Sequence, residues 1–201
     1  MKRRDAAATV LVVLAGLFLL ALGGAPAASI VGTVTASGLS SNADAVVYVA
    51  GVSGTPPAAP ALMDQVKMQF VPHVLPVVVG TTVNFRNSDP TPHNVFSPDY
   101  EKYNLGTWPT GQSKSYTFAK CAKFPCAYTQ LCRVHPEMEG FVVVLQNAMF
   151  GVSDRQGRYE IAGVPPGKYS LGVWHPKLKA QPKPVTVEAG KPATVDFTLG
   201  K

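Results

Sequence analysis

Three residues with metal-binding side chains recur at intervals of three in one short loop. In the stretch "LCRVHPEMEG", residues 131–140, the chain places a cysteine, a histidine and a methionine at Cys132, His135 and Met138. Thiolate and thioether sulfurs are the ligands that Cu(I) favours, and an imidazole suits several first-row metals. The residue types and their spacing therefore predict a metal site built on this loop.

A second histidine is available in the stretch "PTPHNVFS", at His93. Two histidines and one cysteine in a trigonal plane, with a long axial methionine, form the blue-copper arrangement. That geometry is acceptable to Cu(I) and Cu(II) alike, so little rearrangement accompanies the gain or loss of one electron. The chemistry expected of these four residues is one-electron transfer at a single type 1 copper ion.

The first residues of the chain have the organisation of a secretory signal peptide. Basic residues at positions 2–4 precede an apolar run from Ala6 to Leu22, and small residues follow at Ala25 and Ala27. This pattern predicts export to the periplasm or the medium, with removal of residues 1–27. A retained membrane anchor is the alternative, since the apolar run is barely long enough to span a bilayer. We expect no stable membrane insertion once the signal is removed.

The chain has three cysteines, an odd number for an exported protein. Thiols in oxidising compartments pair unless they have another task. Cys121 and Cys126 are close enough in sequence for a tight looped disulfide, and this pairing would leave Cys132 unpaired. A buried structural thiol and a zinc site are alternatives for Cys132, although methionine is a poor ligand for zinc.

Composition and motifs disfavour several functional classes. Residues 1–27 hold three basic residues and one acidic residue, so the formal net charge of +6 becomes +4 without them. Residues 28–201 have no Lys/Arg-rich run, so nucleic-acid binding has no support. Haem attachment would need C-x-x-C-H, which is absent.

Further histidines are scarce, which argues against an enzyme. Multicopper oxidases and copper nitrite reductases need histidines for a second kind of copper, and only His73 and His175 remain. Both are predicted to be structural, in a turn and at a strand end. Met63 and Met68 near His73 could form a weak Cu(I) site, but alternation in "VKMQFV" predicts Met68 in the core.

The rest of the chain predicts an all-β fold. Short runs rich in Val, Thr, Tyr and Phe alternate with turn residues, including eighteen glycines and eighteen prolines, and helical periodicity is almost absent. Alternation of apolar and polar residues is typical of antiparallel sheets with one buried face. We expect β-sandwiches.

Two stretches carry a family resemblance. "PHNVFS" and "CRVHPEMEGFVVV" resemble the cupredoxins of the plastocyanin and amicyanin type, which implies a Greek-key sandwich over residues 58–147. The resemblance implies His93 and His135 as imidazole ligands, Cys132 as the thiolate and Met138 as the axial ligand. It also implies that Asn94 ties the two ligand loops together. His135 would then reach the surface within an apolar patch that includes Pro92 and Pro136.

The C-terminal part resembles a second family. "GVSDRQGRYEIAGVPPGKYSLGVWHPKL" is similar to carboxypeptidase-regulatory or transthyretin-like β-sandwiches, whose opening strands are absent from this part. Residues 29–51 look like those strands. The hypothesis is a cupredoxin inserted into a sandwich made of residues 28–57 and 148–201, with residues 51–61 as a connection. The alternative is that residues 29–57 are extra cupredoxin strands.

These features together predict an exported protein that carries single electrons between redox partners. A cytochrome c or a periplasmic dehydrogenase would be a suitable partner. Two other functions are alternatives. One is a copper carrier or buffer, and the other is a cell-envelope interaction module in which copper is structural or lost.

Overall fold

The computed structural model describes residues 26–201. The predicted signal peptide lies outside the described residues except for its last two, Pro26 and Ala27, and the first strand begins at Ala28. The prediction of an all-β chain is confirmed, because the described residues form strands joined by turns and loops, without a helix.

The strands, in chain order, are β1 (Ala28–Ala36), β2 (Val46–Ala50), β3 (Ala61–Val66), β4 (Gln69–Val71), β5 (Val74–Val78), β6 (Thr82–Asn87), β7 (His93–Ser97), β8 (Tyr103–Trp108), β9 (Ser113–Thr117), β10 (Cys126–Leu131), β11 (Glu139–Leu145), β12 (Phe150–Val152), β13 (Arg158–Val164), β14 (Gly167–Trp174), β15 (Lys183–Val187), β16 (Ala193–Thr194) and β17 (Phe197–Leu199). Within residues 26–201, no helix is long and apolar enough to cross a membrane.

Strands β3 to β11 form one sandwich, called here the inner sandwich. One sheet has the order β4-β3-β6-β9 and the other β5-β11-β10-β7-β8. Two pairs, β3 with β6 and β5 with β11, are parallel, so the sheets are mixed and not purely antiparallel. The facing sides bury a core that includes Phe70, Phe85, Phe118, Tyr128 and Val142. In β6, buried Val83 and Phe85 alternate with the more exposed Asn84 and Arg86, so this strand buries one face.

The remaining strands form a second unit, called here the flanking sandwich. Its sheets have the orders β13-β1-β16, with β17 also on β1, and β12-β2-β14-β15. Val34 pairs with Phe197, and Val46 pairs with Val152 and Trp174. Strands β1 and β2 therefore belong with β12 to β17. The intervening strands, β3 to β11, form the inner sandwich.

An apolar cluster joins the two sandwiches. Val46 of the flanking sandwich is buried together with Val74, Phe141, Val143 and Leu145 of the inner one. The rings of Phe141 and Trp174 have centroids 5.5 Å apart across this contact. Because the outer face of β11 is covered in this way, its run of valines is buried on both sides.

The stretch "VKMQFV" is a hairpin and not the single strand that alternation predicts. Lys67 and Met68 form the two-residue turn between β3 and β4, with φ angles of 54° and 55°. Positive φ at both central positions is typical of the type I′ turn, whose twist matches the flanking strands. The turn places Met68 at the surface with 48% exposure, so the prediction of a core position for Met68 is wrong. Met63, in contrast, is fully buried.

Candidate metal centre

The predicted ligands come from two neighbouring strands and one turn. His93 is the first residue of β7, and Cys132 follows directly after the end of β10. Strands β7 and β10 pair through Phe96 and Leu131, which brings the start of one strand beside the end of the other. His135 and Met138 lie on the loop from β10 to β11, so the tight loop carries three of the four predicted donors.

Three ligand atoms converge at this point. The Nδ1 atoms of His93 and His135 are 2.9 Å apart, and the Sγ of Cys132 is 4.0 Å and 3.9 Å from them. A metal ion bonds to histidine nitrogen at about 2.0 Å and to cysteine sulfur at about 2.3 Å, so its ligand atoms lie about 3 to 4 Å apart. The triangle formed by these three atoms therefore fits one metal ion.

No comparable group of donors occurs elsewhere in residues 26–201. Among histidine, cysteine, aspartate and glutamate side chains, only His93, Cys132 and His135 form a set of three with ligand atoms within 4.8 Å of one another. Met138 is buried in the same core cluster as Cys132. Its backbone N–H donates to the carbonyl of His135 at 3.0 Å, which closes the loop around the site.

The donors are shielded from water to different degrees. His93, Cys132 and Met138 are 0%, 2% and 1% exposed, whereas His135 is half-buried. Val134 is 50% exposed beside His135, and Pro92 and Pro136 are exposed as well. Of the four predicted ligands, His135 is thus the most exposed to solvent, and its chain neighbours Val134 and Pro136 are exposed apolar residues.

Asn94 links the two ligand-bearing segments. Its backbone N–H donates to Cys132 Sγ at 3.4 Å, and its side-chain oxygen accepts from the N–H of Arg133 at 3.3 Å. The Nδ2 group donates to Asn104 Oδ1 and to the carbonyl of Gly106, both at 2.8 Å. The main chain of Asn94 thus orients the sulfur, while its side chain holds the loop.

Asp89 is a further residue of the site that sequence reasoning missed. Its Oδ2 lies 2.9 Å from His93 Nε2, and the residue is 6% exposed. Burial by itself opposes ionisation, but the amide of Met68, the His93 ring and the amide of Lys67 outweigh it and lower the pKa of the carboxyl group. The available signal was an aspartate four residues before a candidate ligand, in "SDPTPH".

The other cysteines and histidines lie outside this centre. Cys121 and Cys126 form a disulfide, and Cys132 is a free, buried thiol. His175 is buried, and its Nδ1 accepts from the amides of Lys177 and Leu178 at 3.1 Å and 3.2 Å. The hydrogen bonds of Nδ1 are therefore made within the turn after β14, as expected of a structural histidine.

His73 likewise has a partner within the protein. It lies in the short connection between β4 and β5, and its Nδ1 is 2.8 Å from Asp44 Oδ2 of the flanking sandwich. The hydrogen bond to Asp44 is the main reason that the pKa of His73 is raised.

Comparison with known proteins finds one family model and several solved structures that are similar to parts of this chain. The family model of the carboxypeptidase regulatory-like domain matches residues 137–200. This match begins just before β11, which pairs with β5 and β10 of the inner sandwich. No protein of a curated set matches the chain.

Among solved structures, the chain is similar to a reduced amicyanin mutant, with 27% identity over 49% of this chain and 97% of that one, at a TM-score of 0.39. A purple cupredoxin from Nitrosopumilus maritimus has 27% identity over 42% of this chain and 98% of that one, at a TM-score of 0.37. A copper-containing nitrite reductase from Thermus scotoductus SA-01 has 26% identity over 55% of this chain and 28% of that one, at a TM-score of 0.39.

Proposed function

We propose that the chain is an exported type 1 copper protein that carries single electrons between redox partners and has no substrate of its own. The observation that carries this proposal is the convergence of His93 Nδ1, His135 Nδ1 and Cys132 Sγ within 4.0 Å of one another. Two imidazoles, one thiolate and a nearby thioether are the donor set that suits copper in both oxidation states. Bound copper would supply the one-electron couple.

Burial of the donors favours electron transfer over copper delivery. His93, Cys132 and Met138 are each at most 2% exposed, so an acceptor of copper has little access to them. The hydrogen bonds of Asn94 and Asp89 hold the ligands before the metal arrives. A rigid site retains copper and changes little on reduction, which is what a carrier of electrons requires.

The partial exposure of His135 supports this loop as the binding site for a redox partner. Val134 and Pro136, which flank His135 in the chain, and Pro92, which precedes His93, are exposed apolar residues close in sequence to the donors. A redox protein such as a cytochrome c or a periplasmic dehydrogenase would dock there. The disulfide between Cys121 and Cys126 supports an oxidising compartment, the periplasm or the medium.

The proposal includes that the protein does not catalyse a reaction. A second kind of copper would need further histidines, and His175 already accepts two backbone hydrogen bonds while His73 is engaged by Asp44.

The test is the colour of the copper complex. Purified protein with Cu(II) should show an intense visible thiolate-to-copper band, and Cys132→Ser should abolish it. The double variant Cys121→Ala/Cys126→Ala is the matched control and should keep the band. A colourless wild-type complex would reject the type 1 assignment.

A second measurement separates transfer from delivery. Reversible one-electron voltammetry with copper retained against a chelator supports transfer. Rapid loss of copper to the chelator would instead indicate a carrier.

A further inference from the structure

Asp89 lies between the metal ligand His93 and the two-residue turn at Lys67 and Met68. Its Oδ2 is 2.9 Å from His93 Nε2 and 2.7 Å from the amide nitrogen of Met68, and its Oδ1 is 2.5 Å from the amide nitrogen of Lys67. We propose that Asp89 is a positioning residue for the copper site, and that the turn fixes its carboxylate against His93. The proposal rests on the copper function proposed above.

The turn has an unusual composition for its backbone conformation. Both residues adopt left-handed φ angles, 54° at Lys67 and 55° at Met68, although both carry side chains. Glycine and asparagine are the usual residues of such turns, because a Cβ atom disfavours the left-handed region. Two amide donors of this turn bind the ionised carboxylate, and hydrogen bonds to a charged acceptor are stronger than neutral ones. The carboxylate thus stabilises the turn, and the turn in return immobilises the carboxylate.

The main chain of Asp89 is held as firmly as its side chain. Its N–H donates to Asn87 Oδ1 at 2.9 Å, and its carbonyl accepts from Thr110 Oγ1 at 2.5 Å. Asn87 is fully buried and donates to the carbonyls of Thr91 and Trp108. The loop that leads from β6 to His93 is therefore braced on both sides of Asp89.

The fixed position of the Asp89 carboxylate determines which tautomer the His93 imidazole adopts. An ionised carboxylate can only accept a hydrogen bond, so His93 donates from Nε2, and its unprotonated Nδ1 faces His135 Nδ1 at 2.9 Å and Cys132 Sγ at 4.0 Å. The ring is 0% exposed, so water does not compete for either nitrogen. A carboxylate on the far nitrogen also makes the imidazole a stronger donor. The stronger donor should favour Cu(II) over Cu(I), because the ion of higher charge gains more from it.

The variant Asp89→Asn tests the proposal with three readouts. We expect Cu(II) affinity to fall by about 10- to 100-fold, as for other partners of metal-bound histidines. We expect the reduction potential to rise, by about 59 mV for each tenfold that Cu(II) affinity falls beyond the fall in Cu(I) affinity. In the copper-free protein, ¹⁵N NMR should show His93 protonated at Nε2 in the wild type and a smaller population of that tautomer in the variant.

Repeating Asp89→Asn in a Met68→Gly variant distinguishes two roles of Asp89. In one role Asp89 positions His93, and in the other it only stabilises the turn. Met68→Gly relieves the strain at one of the two left-handed positions, φ 55°, so the turn depends less on its hydrogen bonds to Asp89. If Asp89 acts through His93, Asp89→Asn has the same effect on potential and tautomer in this background. The matched control is Asp154→Asn, since Asp154 binds the amides of Gln156 and Arg158 at 2.9 Å in the flanking sandwich and should leave the copper site unchanged.

The proposal is overturned if Asp89→Asn changes Cu(II) affinity less than tenfold and leaves the tautomer as in the wild type. It is also overturned if the effects disappear in the Met68→Gly background. Failure of the copper function is a separate result, because a colourless wild-type complex would refute that function while the tautomer measurement in copper-free protein still decides the role of Asp89.

Discussion

His73 of the inner sandwich and Asp44 of the flanking sandwich form a hydrogen bond, with His73 Nδ1 2.8 Å from Asp44 Oδ2, and this contact is an ion pair when His73 is protonated. The two residues lie beside the apolar cluster that joins the sandwiches, and their neighbours Ser41 and Glu139 line the same groove. The insertion of one sandwich into the other therefore has a polar contact as well as an apolar one.

This pair predicts a pH dependence of stability. The hydrogen bond to Asp44 raises the pKa of His73 above its ordinary value of 6.5, against the opposing effect of burial. Because the folded pKa exceeds that of the unfolded chain, the stabilisation is complete below pH 6.5 and is lost as the pH rises through the folded pKa. The side chains are 43% and 35% exposed, so solvent screening limits the contribution to about 0.5 kcal/mol.

The measurement is the free energy of unfolding below pH 6.5 and well above it, for the wild type and His73→Gln. The variant should lose about 0.5 kcal/mol at the lower pH and almost nothing at the higher pH. A double-mutant cycle with Asp44→Asn should assign this loss to the pair. An equal loss at both pH values would contradict the prediction.

The axial position predicts a selective effect on the reduction potential. Met138→Leu nearly conserves volume, so it should cost less than about 1.5 kcal/mol of stability. Loss of the thioether removes a ligand from Cu(II) and makes the site more apolar, so voltammetry should show a potential higher by roughly tens of millivolts with the thiolate band retained.

Met63→Leu is the matched control for this prediction. Met63 is 0% exposed in the same core cluster as Met138 but is not among the predicted ligands. Its substitution should leave the potential unchanged. Equal shifts in the two variants would mean that core packing, and not axial ligation, sets the potential.

The pairing of the two ends of the flanking sandwich predicts an effect on stability without an effect on copper. Phe197 is 2% exposed and lies opposite Val34, in the core formed by both parts of that sandwich. Phe197→Ala should lower the free energy of unfolding by about 3 to 5 kcal/mol, because it leaves a cavity. The thiolate-to-copper band of the folded protein should not change.

Chemical denaturation followed by circular dichroism, together with the visible spectrum, checks this result. Thr198→Ala, at the exposed neighbouring position on β17, should cost far less. A changed visible band in Phe197→Ala would show that the flanking sandwich shapes the copper site.

The disulfide predicts a loss of stability that is independent of the metal. Cys121 and Cys126 are five residues apart, and closure of so short a loop stabilises by about 2 kcal/mol in the chain-entropy description. Cys121→Ala/Cys126→Ala should therefore lower the free energy of unfolding by about 2 kcal/mol and keep the potential. Reduction of the wild-type disulfide under mild conditions should reproduce the loss, and a shifted potential would contradict the prediction.

Much of the site could be predicted from the sequence because its chemistry is local. Cys132, His135 and Met138 share one loop, and few chemistries use a thiolate, an imidazole and a thioether together. The strand pattern of residues 29–51 likewise indicated the flanking sandwich, and Val34 does pair with Phe197. Strands β8 and β10 have a weaker signal in the sequence, since "YNLGTW" and "CAYTQL" lack a clean alternation of apolar and polar residues.

The tertiary structure alone decided which distant residues support the ligands. Asp89 contacts His93 and the turn at Lys67 and Met68, and Asp44 contacts His73 across the two sandwiches. The sequence by itself determined the donor types, because they follow from side-chain chemistry and short spacing. The partners of those donors depend on strand register and on how the two sandwiches pack, and these relations arise only when residues far apart in the chain are brought together.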